Sequence, residues 1–148
     1  MKVYTQDELD FIVQRFNNKT LPKSDWTHHA HLIVALWHNL NYPFPRAVEL
    51  VRNKIKAYNI YVGTQNTDTA GYHETLTVLW MALSKNYIFE HSKLSFQELV
   101  NQFLCSEVSQ KEVVFQYYSK EVLLSTKARK EWVLGNRDEI KVNLSLNL

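Results

Sequence analysis

The chain is poor in the residues that break helices. Three glycines and three prolines among 148 residues are too few for a turn-rich β fold and favour long uninterrupted helices. A single cysteine, Cys105, excludes an internal disulfide framework and a cysteine-rich zinc site. It lies in the apolar run 100–105 and is expected as a buried core thiol. No run approaches ~18 consecutive apolar residues, so no membrane span is expected. No long block of like charge occurs. The densest basic stretch, Lys127-Ala128-Arg129-Lys130, is short and interrupted, and reads as a solvated helix face. With a net charge of +2, nucleic-acid binding has no compositional support. The segment Met1–Glu8 carries acids where a signal peptide needs an apolar stretch, which makes the cytoplasm the expected location.

What the chain has is bulk. Hydrophobic residues make up 45% and aromatics 13%, which excludes a solvated coil. The length is that of one domain able to bury its own core. Apolar residues recur at helical spacing. Thr5 with Glu8 opens a first helix on Leu9, Ile12, Val13 and Phe16. A second begins within Ser24–Thr27 and runs through His28-His29-Ala30-His31 into Leu32–Trp37, apolar on every side and therefore central. A third starts near Pro45 and stops at Gly63. A fourth opens after Thr69 with Leu76, Leu79, Trp80 and Leu83 on its stripe. Ser95 with Glu98 and Ser109 with Glu112 are further capping-box patterns opening a fifth and a short sixth helix, and Ser125–Leu134 reads as a seventh. Ile140–Leu148 is weakly patterned, as a strand or a loose tail. The expectation is an all-α, single-domain bundle of six or seven helices over residues 1–148.

Short connections make neighbouring helices antiparallel, so the second and fourth helices should start at the same end of the bundle. Polar residues collect at those two starts. His28 and His31 share a face, and Tyr72, His73 and Glu74 are expected in the first turn of the fourth helix, beside the loop 66–69. Helix starts expose N–H groups and a positive dipole end, which suits a small anionic ligand and favours neutral imidazole. Three readings follow. His28, His31 and His73 hold a divalent metal such as zinc, with Glu74 as base or outer partner. Alternatively, His73 and Glu74 serve as general acid and base without a metal, with Tyr72 donating a hydroxyl and His28 and His31 binding substrate. In the third, the pocket only binds a small molecule. The plain alternative is that these histidines cap and pack. His29 is expected on the surface, His38 as structural and His91 as a helix-end cap.

Two motifs carry a resemblance. Trp26-Thr27-His28-x-Ala30-His31-Leu32 and Thr67-Asp68-Thr69-x-Gly71-Tyr72-His73-Glu74-Thr75 resemble a family of small, uncharacterised bacterial all-helical proteins. Tyr117-Tyr118-Ser119, Ser125, Ala128-Arg129 and Trp132 resemble its C-terminal part. The family carries Pro-Asp-Leu after the tryptophan, whereas this chain has Gly135-Asn136-Arg137-Asp138. The resemblance implies a compact stand-alone domain and lends no substrate. Together with the loop it adds Trp26, Asn66, Asp68, Tyr118 and Arg129 as candidate ligand-binding residues. Small-molecule enzyme and non-catalytic binding or interaction module both remain open on the sequence.

Overall fold

A computed structural model describes residues 2–138. The segment 140–148, read above as strand or loose tail, lies outside the described residues. The fold is all-helical. Five longer helices are α1 (Gln6–Asn17), α2 (His28–Asn41), α3 (Phe44–Tyr61), α4 (Glu74–Glu90) and α5 (Phe96–Cys105). Three short ones follow: α6 (Val114–Tyr117), α7 (Lys120–Leu123) and α8 (Thr126–Lys130). Single 3-10 turns occupy Lys23–Asp25, Glu107–Ser109 and Lys111–Val113.

The helices begin where side chains can satisfy free N–H groups. Thr5, Thr27 and Ser95 each accept from the backbone N–H three residues on. At Ser95 the box is complete, because Glu98 also accepts from the Ser95 N–H. α2 is the centre of the molecule, packed against α1, α3, α4 and α5. Ala30 and the run from Leu32 to Leu36 are all buried, as expected for a helix apolar on every side. Leu32, Ile33 and Leu36 pack with Leu99, Val100 and Phe103 of α5. Val34 and Ala35 face Val48 and Val51 of α3 and Met81 and Ala82 of α4. Each such large side chain taken out of water contributes about 1.5–3 kcal/mol.

Four expectations are corrected. The fourth helix starts at Glu74, not after Thr69. Thr67 is occupied in a tight turn, accepting from the N–H groups of Thr69 and Ala70, and Gly71 at φ +80 turns the chain before the helix can begin. Ser109 opens no capping box, because it closes the 3-10 turn Glu107–Ser109 instead of preceding a helix, with its hydroxyl turned back onto the carbonyls of Leu104 and Ser106. Two 3-10 turns and the four-residue α6 take the place of the sixth helix. The last helix ends at Lys130, and the chain beyond it is drawn along α4, where the Thr75 hydroxyl donates to Glu131 O and accepts from Val133 N. Cys105, at the last position of α5, is exposed.

Candidate functional site

The starts of α2 and α4 do meet. A cavity of about 490 Å³ lies between α2, α3 and α4, within the range of small-molecule sites. His28 and His31 reach it from the first turn of α2, and Tyr72 and His73 from the approach to α4. Its apolar wall is Ala35, Val51, Ile55, Leu76 and Met81. Trp26 and Trp80 flank the imidazoles, and Lys111 and Thr64 complete the lining with Asn59, Gly71 and Thr77.

Each imidazole is held by a backbone carbonyl, which decides its tautomer. His31 donates Nδ1–H to Thr27 O at 2.7 Å, one turn back on its own helix. His28 donates Nε2–H to Ser109 O at 2.7 Å. His73 donates Nε2–H to Leu123 O at 2.8 Å and accepts from Leu76 N at Nδ1, 3.1 Å away. A carbonyl oxygen can only accept, so the nitrogen facing it carries the proton. Burial lowers all three basicities and outweighs the carbonyl partners, taking His31 down to about 4. These rings are therefore neutral at physiological pH, and the nitrogen away from the carbonyl keeps its lone pair. For His31 that is Nε2 and for His28 Nδ1. On His73 the second nitrogen is already spent on capping α4.

Aromatic packing holds the first turn of α2 rigid. Trp26 stacks on His31 with centroids 3.7 Å apart and on Phe16 at 4.6 Å. Both faces of its indole are covered, so its edge is what meets the cavity. Trp80 meets the His28 ring edge-on at 5.1 Å.

The other sequence candidates sit outside the cavity lining. The Glu74 carboxylate makes a two-pronged pair with Arg52, at 2.8 and 2.7 Å, and accepts from the Tyr72 hydroxyl at 2.5 Å. Burial opposes its charge, but the Arg52 guanidinium and the Tyr72 hydroxyl hold its carboxyl below the ordinary range. That charge is already paired, so Glu74 steadies Tyr72 from behind. Tyr72 is pushed upward by burial and by its bond to Glu74, so its hydroxyl proton stays on. Asn66 stitches the loop to α3: its side-chain oxygen accepts from Asn59 Nδ2 and Tyr72 N, and its amide donates to Lys56 O. Asp68 is an exposed partner of Lys130. Arg129 donates to the carbonyls of Gly71 and Tyr72, tying α8 to the loop. Tyr118 is fully buried, bonded to Val133 O, and pushed up to about 12 by burial. Tyr58, near the end of α3, is buried with its hydroxyl on Leu21 O.

The three remaining histidines sit away from the cavity. His29 bonds the Tyr4 hydroxyl, His38 is buried between Val34 O and Lys54 Nζ, and His91 ends α4 stacked on Tyr87. Lys111, Asn59, Thr64 and Trp80 were not anticipated as lining. They come from segments distant in sequence, and none carries a local signal.

Among the described residues no group of three His, Cys, Asp or Glu side chains is placed to hold a metal ion. The donor set accounts for this on the α4 side: His73 could ligate only by giving up its bond to Leu76 N or Leu123 O. Among the described residues no helix is long and apolar enough to cross a membrane. Comparison with known protein families, curated proteins and solved structures finds no match, so the cavity's own chemistry carries the functional argument.

Proposed function

We propose that the chain binds a small organic molecule in the cavity between α2, α3 and α4, with His28 and His31 as neutral hydrogen-bond acceptors. The observation that carries this reading is the fixed tautomers: a carbonyl holds the proton of each ring, leaving two lone pairs beside an apolar wall. Few polar groups converging in an otherwise apolar pocket is the usual composition of a ligand site. Binding fits better than acid–base catalysis. Burial lowers His73 and both its ring nitrogens are engaged, by Leu123 O and Leu76 N, which leaves no free site for proton transfer, and Glu74 is engaged by Arg52.

The test is a melting-temperature screen of the purified chain against small aromatic and aliphatic compounds, followed by titration calorimetry on hits. His31→Phe keeps a ring on Trp26 and removes the acceptor. Hits that bind the native chain should lose affinity by about tenfold or more in this variant, since a buried donor on the ligand is then left unpaired. Unchanged affinity rejects the assignment. A zinc titration run alongside separates the metal reading: one tightly bound equivalent, lost in His73→Ala, would favour a metal centre instead.

A further inference from the structure

Two features of the cavity have different polarity and stand at different depths. The floor is closed by Ala35, Val51 and Met81, each no more than 4% exposed. His28 and His31 are partly buried, whereas Lys111 is exposed. Among the described lining residues Lys111 carries the one formal charge, and no ion pair involves it among the described residues. Glu112 beside it is exposed and is not part of the lining. The imidazoles turn lone pairs, which repel an anion, toward their ligand; the one formal positive charge an anion can meet is the Lys111 ammonium at the rim. What the imidazoles favour is an O–H or N–H donor.

Building on the binding reading above, we propose that the ligand is an apolar-bodied organic acid that also carries a hydroxyl or N–H group. Its apolar body lies on the floor, its donor reaches the His28 and His31 lone pairs, and its acid group meets Lys111. Trp26 and Trp80 in the lining suit an aromatic body, because aromatic rings pair edge to face or offset-stacked. The tyrosine wall adds no competing charge, since Arg52 neutralises Glu74 behind it.

The experiment titrates four probes into the full chain: para-hydroxyphenylacetate, para-methoxyphenylacetate without the donor, para-hydroxyphenylacetamide without the charge, and indole as a reporter of the apolar cavity. The hydroxy acid should bind on the order of tenfold tighter than the methoxy acid. It should exceed the amide by a smaller factor that shrinks as salt is added. Lys111→Gln, an exposed change that leaves the core untouched, should abolish the acid-over-amide preference and keep the hydroxyl preference. His31→Phe should do the reverse. Equal affinity of the three phenylacetyl probes while indole binds overturns the ligand class and leaves the cavity reading standing. If indole and the other probes all fail to bind, both fall.

Discussion

Acid should destabilise this chain well before its carboxylates are protonated, and two imidazoles set the size of the effect. His31 and His38 are each held down to about 4 by burial, although a backbone carbonyl accepts from each. In the unfolded chain both return to the ordinary histidine value near 6.5. The folded state therefore binds fewer protons than the unfolded state between those two values, so stability rises with pH across this window and falls as pH drops below about 6.5. Each ring contributes a loss of about 2 kcal/mol between pH 7 and pH 5, or about 4 kcal/mol for the pair. Native stabilities are only about 5–15 kcal/mol, so the loss is a large share of the total. At His38 the cause is direct: Lys54 Nζ donates to its Nε2 at 2.8 Å, and a protonated ring would face that ammonium with no lone pair. Urea unfolding at the two pH values measures the difference. His31→Phe should remove about half of the loss, and His38→Gln gives an independent check if the first variant folds poorly. A loss under about 1 kcal/mol in the native chain, or a loss that neither variant reduces, would refute the reasoning.

Other substitutions test the frame of the cavity. Gly71→Ala should destabilise by more than about 1 kcal/mol, because φ is +80 and a Cβ there would collide with Gln65 O and lie 2.8 Å from Asn66 Oδ1; thermal unfolding reads this. Glu74→Gln should cost about 1–3 kcal/mol by urea titration, since it leaves the partly buried Arg52 without its counter-charge. The same change should loosen Tyr72 and weaken any ligand that leans on it. Cys105 is exposed, so a maleimide should label it stoichiometrically in the native state; labelling only after urea would contradict its placement.

The helices were legible wherever local rules act alone. Thr5, Thr27 and Ser95 cap as their residue types predict, and α2 is buried all round because its composition offers no polar face. The meeting of residues 28, 31, 72 and 73 followed from helix order. What could not be read is set at a distance. Glu74 resembles a free acid until Arg52, 22 residues away, is seen against it. His73 lies outside the usual set of capping residues, so its role at the head of α4 gives no pattern. Ser109 with Glu112 has the spacing of a capping box, but Ser109 closes the 3-10 turn Glu107–Ser109 instead of preceding a helix, with its hydroxyl turned back onto the carbonyls of Leu104 and Ser106. Lys111 enters the lining through the turns that follow α5, which no periodicity announces.

The carbonyls that orient His28 and His73 belong to residues 81 and 50 positions further along the chain. A ribosome must therefore release most of the polypeptide before either ring can settle. A shortened chain ending after α5 would retain much of the apolar interior yet lack the carbonyl that fixes the proton of each ring. In a protease-clipped or truncated product, recognition should vanish before helicity does.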